Sequence, residues 1–131
     1  MTTSDASKLR ILLVDDDLMN RKIVVNMVGR LGHLAEAVES GKEALNRLVE
    51  EHYDLVLMDC QMPELDGYET TALIRSPLSK VLNPSIPIVA LTADVLSATK
   101  ETCFSAGMDD YLSKPLQIRC LEEMLTRWAQ N

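Results

Sequence analysis

The stretch RILLVDDD at residues 10–17 is a short apolar run that ends in three aspartates. The stretch LVLMD at residues 55–59 repeats this pattern with one aspartate, and IPIVALT at residues 86–92 ends in a threonine. Runs that are apolar at nearly every position are typical of strands buried on both faces of a parallel sheet. We therefore predict strands at residues 10–14, 55–58 and 86–91, with weaker candidates at 34–38 and 111–112.

Between these runs, apolar residues recur three or four positions apart, which gives a helix one apolar face. Helices are also predicted at residues 67–75 and 95–106, the second ended by Gly107. The alternation of strands and helices predicts an α/β protein, a three-layer sandwich with a parallel five-stranded sheet and right-handed crossovers. Three apolar stripes are predicted to face the core: Met19, Ile23, Met27 and Leu31; Ala44, Leu45, Leu48 and Val49; Leu121, Leu125 and Trp128.

The length of 131 residues, with 47% hydrophobic residues, suits one domain. We expect residues 1–8 to be a flexible lead-in or linker and residues 9–131 to form the domain. No apolar run could cross a bilayer and the polar start does not resemble a signal peptide, so we expect a soluble, cytoplasmic protein. The net charge of −7 argues against binding to nucleic acid or to anionic membranes. The three cysteines form no C-x-x-C motif and are expected to be reduced packing residues.

Polar side chains collect where the predicted strands end. In open parallel sheets, ligands bind beyond the carboxyl ends of the strands, where the strand order reverses. With the order 2-1-3-4-5, strands 1 and 3 flank that point, so Asp15 and Asp16 are expected to lie near Asp59. Three neighbouring carboxylates repel one another unless a cation joins them, and few hard oxygen ligands completed by water suit Mg²⁺, with Mn²⁺ as an alternative. A carboxylate beside such a cation can attack phosphorus and form an aspartyl phosphate, with charge neutralised by Mg²⁺, Lys114 and Thr92.

Four motifs together resemble the receiver domain of two-component response regulators. They are Val14-Asp15-Asp16, residues 57–63 followed by Asp66-Gly67, residues 91–93, and Lys114-Pro115. The resemblance covers nearly all of residues 9–130 and implies a flavodoxin-like (βα)5 fold. It also implies that Asp59 is the phosphoacceptor, that Asp16 binds the metal directly and Asp15 mainly through water, and that the backbone carbonyl of Cys60 adds a ligand.

The same resemblance implies how the phosphorylated state differs from the unphosphorylated state. Lys114 would pair with the phosphoryl group, Thr92 would move to hydrogen-bond it, and Tyr111 would turn inward. This change would switch the face built by the fourth helix, the fifth strand and the fifth helix. Gln61 and Asp94, two positions beyond the acceptor and the threonine, would tune the phosphoryl lifetime. The Lys114-Pro115 bond is expected to be cis.

Several features are most similar to receivers carried on hybrid sensor histidine kinases: Asn20, residues 59–63, residues 106–111 and Arg127-Trp128. The implied donor is a phosphohistidine on a histidine kinase or a histidine phosphotransfer domain. Some of Met19, Ile23 and Met27 would then form an apolar docking face instead of core. The domain would catalyse only its own phosphorylation and dephosphorylation, although a parent chain could be a histidine kinase. The resemblance also allows a homodimer.

Particular residues disfavour three other functions. An aspartate-nucleophile phosphatase has a second aspartate two positions after its nucleophile, where this chain has Gln61, which cannot act as a general acid. A nucleotide or flavin binder of this fold needs a glycine-rich first turn, whereas residues 15–17 are acidic. A receiver-like module that binds partners without phosphorylation is disfavoured because every reactive position is intact.

Overall fold

The computed structural model describes residues 8–93 and 97–129, with the side chains of residues 97–99 left aside. Within these residues, five strands alternate with five helices. The strands are β1 (Arg10–Val14), β2 (Leu34–Val38), β3 (Leu55–Asp59), β4 (Ile88–Thr92) and β5 (Asp110–Ser113). The helices are α1 (Leu18–Arg30), α2 (Gly41–Glu50), α3 (Gly67–Arg75), α4 (Ser97–Ala106) and α5 (Ile118–Ala129).

All neighbouring strands are parallel, in the order β2-β1-β3-β4-β5. The predicted fold class and strand order are therefore confirmed. The first two residues of the helix predicted at 95–106 lie outside the described residues, as does the predicted lead-in apart from the exposed Lys8. None of the described helices is long and apolar enough to span a membrane.

The sheet separates two apolar core layers. Successive side chains of a strand point to opposite faces, so β1 sends Ile11 and Leu13 to one layer and Leu12 and Val14 to the other. The first layer is completed by α1 and α5, and the second by α2, α3 and α4. Helices covering both faces explain why the central strands β3 and β4 are buried at every position.

Polar caps fix the helices that begin at the carboxyl edge of the sheet. The Asp17 side chain caps α1 by accepting a hydrogen bond from the N–H of Met19, 3.0 Å away. Ser40 caps α2, and Asp66 forms a reciprocal capping box with Glu69 at the start of α3. These side chains satisfy N–H groups that a helix leaves free at its start. The caps therefore hold in place the loops that follow β1, β2 and β3.

The predicted core face of α1 is wrong for the first two residues of its apolar stripe. Met19 and Ile23 are 66% and 47% exposed, and the buried residues of this helix are Val24 and Val28. Apolar residues occur all around α1, so periodicity alone does not select the face that meets the sheet. The buried face is displaced by about one residue, or roughly 100° of helix rotation.

Two further residues depart from the predicted packing. Val49 is 40% exposed at the outer side of α2, and Cys120 is exposed on α5. Cys60 and Cys103 are free and buried, as expected. The stripe of α5 is confirmed, because Leu121 and Leu125 are buried and Trp128 packs against the same layer.

Candidate functional site

Three carboxylates meet at the carboxyl edge of the sheet. Asp15 and Asp16 directly follow β1, and Asp59 ends β3, the neighbouring strand. One carboxylate oxygen of each lies within 4.8 Å of the others, with Asp15 and Asp59 buried and Asp16 exposed. They line a crevice of about 230 Å³. Its other lining residues are Asp17, Cys60, Gln61, Leu91, Thr92, Ala93 and Lys114.

Lys114 is the cation of this crevice. Its Nζ lies 2.9 Å from Oδ1 of Asp59 and 3.7 Å from Oδ2 of Asp15. Its backbone N–H donates to the carbonyl oxygen of Thr92, 2.8 Å away, and the Lys114-Pro115 bond is cis, as predicted. Burial disfavours the charge of Lys114, but its hydrogen bond to Asp59 and the nearby acids outweigh this effect and raise its pKa above the ordinary value. Lys114 is therefore charged at neutral pH.

Opposing effects act on the pKa of the Asp59 carboxyl. Burial raises the pKa of its carboxyl above the ordinary value, and the charge of Asp15 adds to this rise. The hydrogen bond from Lys114 acts in the other direction without cancelling it. One positive side chain thus faces three carboxyl groups, and a second cation would stabilise their charged forms. Three oxygen donors with room for water and a phosphoryl oxygen fit Mg²⁺.

Asp15 is tightly held by its neighbours. Its Oδ1 accepts a hydrogen bond from the N–H of Asp17 at 2.9 Å, and its Oδ2 accepts one from the side-chain amide of Asn20. The guanidinium of Arg21 donates to the backbone carbonyl oxygen of Asp15 at 2.8 Å. Both carboxylate oxygens are thus engaged, an arrangement that suits contact with a metal through water. Sequence reasoning noted Asn20 only as a family feature and missed this contact.

Cys60 connects the site to α3. Its N–H donates to the carbonyl oxygen of Leu91, and its own carbonyl oxygen accepts from the N–H of Gly67, both at 3.1 Å. One lone pair of that carbonyl oxygen is directed to the start of α3; the oxygen has a second lone pair, and its role as a metal ligand stays a prediction. Burial raises the pKa of the Cys60 thiol to about 12, so the thiol is neutral at physiological pH.

The remaining predicted residues lie at different distances from the crevice. Gln61 lines it, is exposed, and donates its N–H to Oδ1 of Asp59 at 3.3 Å. Thr92 lines it as a buried residue. Tyr111 does not line the crevice; it is half-buried on β5, where Nζ of Lys100 lies 5.1 Å from its ring centroid. Asp94 lies outside the described residues.

Comparison with known proteins agrees with this geometry. Residues 11–126 match the response regulator receiver domain family. The chain belongs to this family. The receiver domain is 37% identical over 128 residues to sensor histidine kinase RcsC of Escherichia coli (strain K12), and 41% identical over 120 residues to sensor protein GacS of Pseudomonas syringae pv. syringae. These matches cover 98% and 92% of the chain. It spans only 13% of the length of each of these kinases.

Two solved structures show the same receiver fold. One is the receiver domain of sensor histidine kinase PA1611 from Pseudomonas aeruginosa PAO1, with a magnesium ion coordinated in its active site cleft. It is 38% identical, with a TM-score of 0.83 and coverage of 95% of this chain and 99% of that one. The other is the Saccharomyces cerevisiae receiver domain of Ssk1 in complex with the histidine phosphotransfer protein Ypd1. It is 29% identical, with a TM-score of 0.83 and coverage of 94% and 90%.

Proposed function

We propose that this receiver domain accepts a phosphoryl group on Asp59 from a phosphohistidine, in a reaction that requires Mg²⁺. The observation that carries the proposal is the convergence of Asp15, Asp16 and Lys114 on Asp59 in one crevice. The domain would catalyse its own phosphorylation and dephosphorylation and act on no other substrate.

The residues of the crevice have separate roles in the transfer. Lys114 and the N–H of Gln61 both contact Oδ1 of Asp59 and orient the carboxylate. A carboxylate oxygen of Asp59 attacks phosphorus, the bond between phosphorus and the histidine nitrogen breaks, and the imidazole leaves with the electron pair. Asp15, Asp16 and Asp59 would hold Mg²⁺ or Mn²⁺, which supplies positive charge next to the phosphoryl oxygens. Lys114 then pairs with the transferred group.

Phosphorylation then acts on the face formed by α4, β5 and α5. A phosphoryl group on Asp59 adds negative charge that the Thr92 hydroxyl reaches by moving toward it. Thr92 ends β4, and Tyr111 pairs with Ala90 two residues earlier on that strand. A displacement at the end of β4 therefore has a short path to Tyr111, which turns inward in the active state. Gln61 and Asp94 would set how quickly water removes the phosphoryl group.

Removal of divalent metal tests the central step. With a small phosphodonor and Mg²⁺, the intact chain should gain the mass of one phosphoryl group, measured by mass spectrometry. With excess chelator the gain should disappear, because the phosphoryl oxygens would face three carboxyl groups with Lys114 alone for compensation. A full gain of mass in chelator would contradict the proposed metal dependence.

The exposed apolar side of α1 is the proposed docking surface for the donor. Leu18, Met19 and Ile23 are 58%, 66% and 47% exposed, and α1 starts beside the crevice. Apolar side chains at this helical spacing fit against a helix pair. The complex of a related receiver with a histidine phosphotransfer protein supports a donor of that class for this domain.

Replacing one residue of the proposed docking surface should slow transfer from a protein donor but not from a small phosphodonor. Ile23→Asp should slow transfer from a histidine-phosphorylated phosphotransfer domain about tenfold, since it buries a charge in the proposed interface, a loss of about 1.4 kcal/mol. Reaction with a small phosphodonor should be unchanged. Val49→Asp, at a comparably exposed apolar residue of α2 in the opposite layer, is the control. Equal slowing in both variants would argue against docking on α1.

A further inference from the structure

The side of α1 that faces the sheet contacts Asp15 at its first turn. Asn20, Val24 and Val28 are four residues apart and share the face that meets the sheet. The two valines are fully buried, and Asn20 donates its side-chain amide to Oδ2 of Asp15. The next residue, Arg21, donates to the backbone carbonyl oxygen of Asp15. The first turns of α1 therefore hold Asp15 through both its side chain and its main chain.

The main chain of Asp15 is fixed independently of Asn20. Its N–H donates to the carbonyl oxygen of Val38 at 3.1 Å, and its carbonyl oxygen accepts from Arg21 at 2.8 Å. The Asp15 side chain is fully buried, so its orientation depends on the groups that contact its two oxygens. Removal of the Asn20 amide would free the orientation of the carboxylate and leave the backbone in place.

Lys114 competes for the same oxygen. Its Nζ is 2.9 Å from Asp59 and 3.7 Å from Oδ2 of Asp15, so only the first contact is a hydrogen bond. Without the Asn20 amide, Lys114 is the strongest remaining donor for Oδ2, and the Asp15 carboxylate would turn toward it. The Asp15 carboxylate would then pair more closely with Lys114, and its oxygens would be less available to a divalent ion.

We propose that Asn20 is a positioning residue for the cation site, because its amide holds the Asp15 carboxylate beside those of Asp16 and Asp59 and prevents a closer contact with Lys114. This inference rests on the proposed metal-dependent function. A neutral donor is the suitable group at this position. A lysine would bring its own positive charge and oppose the divalent ion, and an aspartate would repel Asp15.

Calorimetric titration with MgCl₂ alone tests the assignment. Asn20→Ala should bind Mg²⁺ about tenfold more weakly than the unmodified domain, the usual loss when a group that orients a metal ligand is removed. Asn20→Ser keeps a short donor and should recover part of the affinity. Asn26→Ala, at an exposed asparagine of the same helix, should bind like the unmodified domain. Melting temperatures in chelator report whether each variant is folded.

Three outcomes decide between the explanations. A tenfold loss in Asn20→Ala, with partial recovery in Asn20→Ser and unchanged binding in Asn26→Ala, supports the positioning role. Unchanged affinity in a folded Asn20→Ala variant overturns it, as does an equal loss in Asn26→Ala. Failure of the unmodified domain to bind Mg²⁺ overturns the proposed function itself, which distinguishes that failure from the failure of the Asn20 assignment.

Discussion

Asp59→Asn is expected to abolish phosphorylation of this receiver domain by both phosphohistidine and small donors. An amide oxygen carries no negative charge and cannot form the acyl phosphate, so the variant lacks the proposed nucleophile. Asparagine has nearly the same shape as aspartate. Burial disfavours the charged form of the Asp59 carboxyl and so raises its pKa, and the neutral amide removes that cost, so the fold should remain intact. Mass spectrometry of the intact chain should show no gain in the variant and one phosphoryl group in the unmodified domain.

Asp54→Asn provides the matched control. Asp54 is exposed just before the amino end of β3, at the opposite end of the strand that carries Asp59, where it accepts a hydrogen bond from the N–H of Arg10. This variant should gain one phosphoryl group at the normal rate. Equal gains in Asp59→Asn and in the control would show that the acceptor is another residue.

Gly67→Ala should cause a large loss of stability. A Cβ at this position would lie 2.2 Å from the backbone carbonyl oxygen of Asp59 and 3.0 Å from Cα of Cys60. Both contacts are with backbone, so a side-chain rotation cannot relieve them, and α3 must move away from the site. We expect a loss of about 3 kcal/mol in the free energy of unfolding, measured by urea denaturation. Phosphorylation should slow as well.

Gly29→Ala is a control with the opposite expected effect on stability. A Cβ there meets no heavy atom within 4 Å, and Gly29 lies inside α1. Alanine is favoured over glycine in a helix by up to about 1 kcal/mol, so this variant should be more stable than the unmodified domain. If Gly67→Ala were as stable as the unmodified domain, the close approach of α3 to the end of β3 would not be essential to the fold.

Strands β1, β3 and β4 were predictable because their sequences are apolar at nearly every position. The bounds of β1, β2 and α3 agree with those expected. β4 begins at Ile88, two residues later than expected, because Pro87 has no N–H to give to the sheet, although its carbonyl oxygen still accepts from Val56. The acidic and basic site residues were also predictable, since strand order alone brings the strand ends together.

Neither the rotation of α1 nor the contact of Asn20 was predictable. Asn20 lies three residues before Ile23 and four before Val24, so helical spacing places it close to both candidate core faces and does not indicate its partner. In the structure its side-chain amide donates to Asp15. Apolar spacing does not record which face of an evenly apolar helix meets the sheet. The close contact of Gly67 with the Asp59 carbonyl was also not predictable from the sequence, because it depends on how closely the start of α3 approaches the end of β3.

The small size of the apolar surface on α1 has a consequence for the kind of complex it can form. The proposed docking surface has three exposed apolar side chains, Leu18, Met19 and Ile23, whereas each side of a standard stable interface contributes about 20–30 residues. A donor that docks there as proposed would form a transient encounter complex, the class with the smallest interfaces. Each encounter would pass on one phosphoryl group and leave the donor histidine without one, so the signal would be relayed stoichiometrically, without amplification at this step.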